Sequence, residues 1–155
     1  MTTFILIHGM WHGGWCWERL TPLLRDTGHQ VHAPTLAGLA ERANMRGNDI
    51  DLNTHVQDII DLCESENLRD VILVGHSSGG FLTHVIADKV PERIAHIVNL
   101  DGMVPEDGKS LADLIGELDR KSKDAEAELK AAKDALKARG VVSATGDRFT
   151  VQIAN

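Results

Sequence analysis

No stretch of this chain approaches the ~20 consecutive apolar residues that a membrane-spanning helix requires, so a transmembrane role is not expected. The amino terminus also lacks a basic segment. Its short apolar run, Phe4 to Ile7, ends at His8-Gly9, unlike a secretory leader. Positive charge is scarce: Lys and Arg number 16 against 23 Asp and Glu, a formal net charge of −7. A nucleic-acid surface would need basic residues clustered on one face, so no nucleic-acid partner is expected. Cysteine is limited to Cys16 and Cys63, which fit neither a metal spacing nor a disulfide framework. Both read as small packed thiols in a reducing cytoplasm. Histidine, finally, does not occur after His96.

What is present describes a globular chain. Of its 155 residues, 43% are apolar and 25% charged, enough for one domain with a core and too few for two ordinary ones. Short apolar runs alternate with segments of helical period. Phe4 to Ile7 reads as a strand, Trp17 to Arg25 as a helix closed by Gly28, and His29 to Ala33 as a second strand ended by Pro34. His55 to Glu64 places Val56, Ile59, Ile60 and Cys63 on one helical face. Val71 to Val74 is an uninterrupted run of the kind found in central parallel strands. Phe81 to Val90 is helical and stops at Pro91, and Ile94 to Leu100 is a fourth strand. Strand-helix alternation predicts an α/β fold with about four parallel strands and helices on both faces, because each parallel step needs a long crossover.

After Gly108 the composition shifts to Ala, Lys, Glu and Asp. Leucines and alanines from Leu111 to Leu136 recur at three- and four-residue spacing, which predicts one long helix to Arg139, with Gly116 as a point where it breaks. The helix is read as a solvated one leaning on the body, as a lid over an active site, or as a dimer seam. The expected division is a core over 1–108 and a cap segment over 109–155. Val141 to Ile153, around Thr145-Gly146-Asp147, reads as a small hairpin.

The chemistry centres on Gly75-His76-Ser77-Ser78-Gly79, placed directly after one strand and before a helix. That is the context in which a Gly-x-Ser-x-Gly pattern forms a nucleophile elbow. A serine lifted above the sheet on so tight a turn adopts a strained backbone, and residues two before and two after it must lack clashing side chains. The helix that follows aims its first amides where negative charge develops in acyl transfer. Ser77 is therefore the predicted nucleophile. Ile7-His8-Gly9-Met10-Trp11-His12-Gly13-Gly14 leaves the first strand at the same sheet edge. An oxyanion hole takes one amide from such a loop and one from the residue after the nucleophile, which selects the backbone N–H groups of Met10 and Ser78. A phosphate cradle would need a Gly-Lys-Ser/Thr ending that this loop lacks.

His8 and His12 are expected to fix the glycine-rich loop through backbone hydrogen bonds rather than to act as bases. His76, His84 and His96 are read as structural. No metal and no cofactor are expected.

Four blocks carry a resemblance to a known family. They are Phe4-Ile-Leu-Ile-His-Gly-Met-Trp-His-Gly-Gly-Trp-Cys-Trp17, Gly28-His-Gln-Val-His-Ala-Pro-Thr-Leu-Ala-Gly-Leu-Ala-Glu-Arg42, Val74-Gly-His-Ser-Ser-Gly-Gly80 and Leu100-Asp-Gly-Met-Val-Pro-Glu-Asp-Gly108. Together they resemble the amino-terminal part of bacterial α/β-hydrolases related to plant methyl esterases and hydroxynitrile lyases. The resemblance covers roughly residues 3 to 115. It implies hydrolysis of a small-molecule carboxylic ester through an acyl-enzyme. In the lyase branch a threonine commonly stands at the position of Gly9, so Gly9 favours the esterase branch.

The departures concern the rest of the triad. The family order is Ser, then Asp or Glu, then His, yet no histidine follows His96. Asp101, at the carboxyl end of the fourth strand, is the only well-placed candidate acid. A four-stranded parallel sheet would leave an open edge, which suggests a truncated reading of a longer gene, the alternative being a complete short protein that is a pseudo-enzyme or borrows strands from a partner; a homodimer through that edge or the 111–139 helix is the expected self-association. A hydroxynitrile lyase and a non-catalytic binding protein are the competing readings.

Overall fold

The protein is described by a computed structural model covering residues 1–45 and 50–138. Four strands form one parallel sheet in the order β2-β1-β3-β4: Thr3–Ile7 (β1), Gln30–His32 (β2), Val71–His76 (β3) and Ile94–Leu100 (β4). Phe4 stands opposite Val31 on one side and Ile72 on the other, and Leu73 stands opposite Ile97. Each crossover carries a helix: Leu20–Asp26 (α1), Leu52–Ser65 (α2) and Ser78–Lys89 (α3). The predicted α/β architecture is what forms.

Strand alternation sorts the core onto two faces. Ile5, Ile7, Val71 and Leu73 pack with Val56, Ile59, Ile60 and Cys63 of α2 and with Leu82 and Ile86 of α3. Leu6 and Val74, one residue out of phase, join Val31 and Trp17 on the opposite face, with Leu20 and Leu24 of α1 against them. Helices therefore cover both faces. Burying a side chain such as Ile5 or Leu73 contributes roughly 1.5–3 kcal/mol relative to leaving it exposed. A one-residue slip in β1 would exchange the two sets, so the register is strongly specified.

Several boundaries differ from the sequence reading. The first helix splits into a 3₁₀ turn at Gly14–Trp17 and a shorter α1. An unpredicted 3₁₀ helix spans Ala40–Met45. α2 begins at Leu52 rather than His55 because Asp51 caps it. The Asp51 carboxylate accepts from the Thr54 amide at 2.9 Å, while the Thr54 hydroxyl accepts from the Asp51 amide. The Thr54 amide first, and then the Thr54 hydroxyl, donate to the Asp51 carboxyl and hold it below its usual range. A depressed carboxyl pKa adds stability that is present above the unfolded value, ~3.9, and is lost as pH falls through the folded one. Asp51→Ala should therefore lower Tm by a few degrees at pH 7, and the difference from wild type should vanish in thermal melts run below pH 3.

The chain divides into two compact units, Met1–Leu111 and Ala112–Asn155. The long helix Leu111–Ala138 (α4) runs unbroken through Gly116, where a β-carbon would meet no other group within 4 Å. The expected hairpin at 141–153 lies outside the described residues. Among the described residues no helix is long and apolar enough to cross a membrane. Among the described residues, too, β4 pairs with β3 alone, and it exposes Val98 and Leu100 at 44% and 49% of their surfaces.

Candidate active site

The site is built where β1 and β3 end. β3 runs into α3 through Ser77, whose backbone takes φ 54° and ψ −122°. Positive φ costs a serine of order 1–3 kcal/mol unless its surroundings enforce it. Here they do. The Ser77 carbonyl accepts two amides, Gly80 N–H at 3.0 Å and Met103 N–H at 2.9 Å, so the turn is fastened both to its own helix and to the segment after β4. Gly79 lies so close to β1 that a β-carbon on it would stand 2.6 Å from the Ile7 carbonyl oxygen and 2.8 Å from that of His8. A β-carbon on Gly75 would run into the Gly79 carbonyl. Among the described residues no side chain hydrogen-bonds the Ser77 hydroxyl.

The loop after β1 lies against this turn. A β-carbon on Gly9 would sit 3.0 Å from Ser77 Cβ, which places the Gly9-Met10 backbone beside the serine. The Met10 amide donates to Ser78 Oγ at 2.9 Å. Ser77, Ser78, Gly9 and Met10 thus meet at the carboxyl ends of neighbouring parallel strands. The side chain of Ser78 is a partner that the motif does not reveal. The elbow pattern gives a role to its backbone amide, and nothing in the sequence pairs its hydroxyl with residue 10.

His8 holds the loop in place. It is fully buried, and its Nε2 accepts from the Leu36 amide at 3.1 Å. That leaves Nδ1 to carry the proton and donate to the Gly9 carbonyl at 2.8 Å. One neutral tautomer therefore ties the loop after β1 to the loop after β2. Burial lowers the pKa of His8, with small further lowering from the neighbouring His12 and His55 against the Gly9 hydrogen bond. For a base whose folded pKa is depressed, the unfolded chain binds more protons, so stability is full above the unfolded value, ~6.5, and falls as pH drops below it. Protonation also removes the acceptor that Leu36 N–H uses. We expect urea midpoints to decline from pH 7 to pH 5, and His8→Gln, which keeps an acceptor and a donor without titrating, to flatten that decline.

The loop after β2 is fastened by a second network. Asp58 accepts from the Ala37 amide at 2.8 Å and from both terminal nitrogens of Arg42, at 2.9 and 3.3 Å. Arg42 also donates to the Thr35 carbonyl at 2.7 Å. Thr35 takes the Gly14 amide at 2.7 Å and donates to Glu41, whose carboxyl is held below its usual range chiefly by that bond. Between this loop and α3 opens a cleft of about 280 Å³, lined by Leu36, Leu39, Leu82, His55, Met10 and Ser78 among others. Ser77 does not itself line it.

Among the described residues, none of the remaining candidates hydrogen-bonds the Ser77 hydroxyl. His12 Nδ1 bonds the Met10 carbonyl at 3.0 Å, His55 Nε2 the Ala37 carbonyl at 3.0 Å, and His84 Nδ1 the Gly80 carbonyl at 2.9 Å. His76 presents its ring edge-on to Trp17, with centroids 6.5 Å apart, and His96 is exposed on β4. Asp101 follows β4 with φ 48°; it is exposed, and among the described residues its carboxylate has no hydrogen-bond partner and no histidine to orient. Among the described residues, no three His, Cys, Asp or Glu side chains converge on a point that could hold a metal ion. Burial pushes the thiols of Cys16 and Cys63 up, as for packed rather than reactive cysteines.

Comparison with known proteins bears on the same architecture. The family described as "Alpha/beta hydrolase family" matches residues 4–150. A carbendazim hydrolyzing esterase of Nocardioides sp. (strain SG-4G) is 45% identical over 115 residues, which are 74% of this chain and 48% of the esterase. Methylesterase 1 of Arabidopsis thaliana is 35% identical over 105 residues, 66% of this chain and 40% of the plant protein. Among solved structures, an extracellular alpha/beta-hydrolase from a Paenibacillus species, described as sharing structural and functional homology with tobacco salicylic acid binding protein 2, is 35% identical. It superposes with a TM-score of 0.67 over 73% of this chain and 46% of its own. The chain thus spans about half the length of the curated relatives it matches. With its parallel sheet, the strained serine turn at the end of β3 and the matched span, this chain belongs to the alpha/beta hydrolase family, and its relatives include proteins named as esterase and methylesterase.

Proposed function

We propose that the chain carries the nucleophile and the oxyanion donors of a carboxylic-ester hydrolase. Ser77 attacks the ester carbonyl, the alcohol leaves, and water releases the acid from the acyl-serine. The amides of Met10 and Ser78 hold the negative oxygen of the tetrahedral intermediates. The observation that carries this reading is the packing of the Gly9-Met10 backbone against Ser77 on its strained turn, with both strands ending at the same edge. Serine hydroxyls need a base. Among the described residues no histidine hydrogen-bonds the Ser77 hydroxyl, which supports a base brought to Ser77 by a histidine other than the eight of this chain. Small methyl esters are the first substrates to try, since relatives carry the name methylesterase.

The test is covalent. A fluorophosphonate probe incubated with the protein should modify the peptide containing Ser77, located by fragmentation mass spectrometry. Modification at another serine, or none after long exposure even with an external base added, would leave the non-catalytic binding protein as the better reading.

A further inference from the structure

The Met10 amide has a single proton, and that proton is already engaged by Ser78 Oγ at 2.9 Å. An N–H in a well-formed bond gives little to a second acceptor, because strength falls steeply once the angle opens. Ester hydrolysis at Ser77 asks the same amide to hold a developing oxyanion. We infer that the Ser78 hydroxyl is a built-in competitor of the substrate carbonyl, occupying the Met10 donor in the resting site until the substrate displaces it. The inference rests on the esterase reading of Ser77.

Ser78 is suited to this by position. It is the first residue of α3 and is buried at 8% exposure, so its hydroxyl meets the Met10 amide with little competition from solvent. Its backbone amide is one proposed oxyanion donor, while its side chain withholds the other. The displaced hydroxyl has somewhere to go. Both Ser78 and Met10 line the cleft of about 280 Å³ between α3 and the loop after β2. A serine side chain has three staggered rotamers, and a change of rotamer releases Oγ from the amide.

The alternative arrangement, in which Ser78 Oγ–H joins the amides as a third donor, makes the opposite forecast for its removal. Each role changes the rate at Ser77, and the sign separates them. Losing a competitor frees a donor at the moment charge appears; losing a third donor weakens the hole.

The experiment uses Ser78→Ala, and Ser78→Cys as a variant of similar shape whose sulfur is a weak acceptor. Amide hydrogen exchange at Met10, followed by NMR, reads the resting bond. Fluorophosphonate modification of Ser77 reads the consequence. We expect exchange at Met10 to speed up in Ser78→Ala, and modification of Ser77 to accelerate about three- to tenfold, the scale of one hydrogen bond's net worth. Ser78→Cys should fall between the two, with far-UV circular dichroism unchanged in both. Modification that is unchanged or slower in Ser78→Ala, with Ser77 still labelled, overturns the competitor role and leaves the esterase reading intact. Absence of labelling at Ser77 in every variant, with imidazole present as an external base, overturns the esterase reading, and the competitor role falls with it even if Met10 exchange responds.

Discussion

Ser77→Ala is expected to abolish fluorophosphonate modification at this position and to lower turnover of a short-chain nitrophenyl ester to the residual rate that the amide donors alone support. Where a base is also in place, loss of a nucleophilic serine costs on the order of 10⁴–10⁶ in kcat. In the 155-residue chain the starting rate is itself expected to be low, because among the described residues no base is hydrogen-bonded to the Ser77 hydroxyl. Preorganised amide donors alone leave about 10³–10⁴-fold acceleration over water. Free imidazole offers a way to separate these contributions. Added at high concentration, it should raise the labelling rate of the wild-type chain severalfold and do nothing for Ser77→Ala, since an external base can help only a nucleophile that exists. A product that carries both the chain and its missing base should label fast without imidazole. Hydrolysis that continues undiminished in Ser77→Ala would show a different nucleophile or a general-base route through water, and the site would have to be reassigned.

The parts of this site that sequence can show are those written locally. Gly75 and Gly79 flank Ser77 within five residues, between a β-branched run and a helix, and the turn they permit is the one that forms. That both faces of the sheet are covered is legible too, in the uninterrupted apolar run Val71 to Val74, whereas which face each residue takes is not. The capping of α2 by Asp51 and Thr54 is also local, and periodicity places the helix start too late only because the apolar period begins at Val56. What sequence does not show joins residues far apart in the chain. The bond from the Met10 amide to Ser78 Oγ, the His8 link between Gly9 and Leu36, and the Arg42–Asp58 clamp on the Thr35–Ala37 loop all depend on how the crossovers stack. No spacing rule connects their partners. The 3₁₀ helix at Ala40–Met45 is of this kind, since the segment before it is held by Arg42, Asp58 and His55.

Gly79→Ala should be among the most destabilising single substitutions in the chain, although it adds one methyl group. The new carbon would stand 2.6 Å from the Ile7 carbonyl oxygen and 2.8 Å from the His8 carbonyl oxygen. Ile7 ends β1, the strand that pairs with β2 on one side and β3 on the other, and His8 follows it directly. No flexible side chain can swing aside, so either β1 or the start of α3 must move, and His8 and Ser77 move with them. Overpacking into a well-filled interior typically costs about 1–3 kcal/mol, sometimes more. With rigid backbone on the far side, we expect the upper end, about 3 kcal/mol. For a unit of this size that corresponds to a fall in Tm of about 10–20 °C. Gly75→Ala should behave alike, because its methyl would meet the Gly79 carbonyl and, at 2.6 Å, the Gly80 nitrogen. Gly116→Ala is the control. Gly116 sits inside α4 with nothing within 4 Å of the added carbon, so the change should be neutral or stabilise by about 0.5–1 kcal/mol through helix propensity. Urea titrations of the three variants decide the matter. If Gly79→Ala unfolds at the wild-type midpoint, helix α3 does not press on β1, and the close approach that sets Ser77 beside Gly9 and Met10 is lost with it.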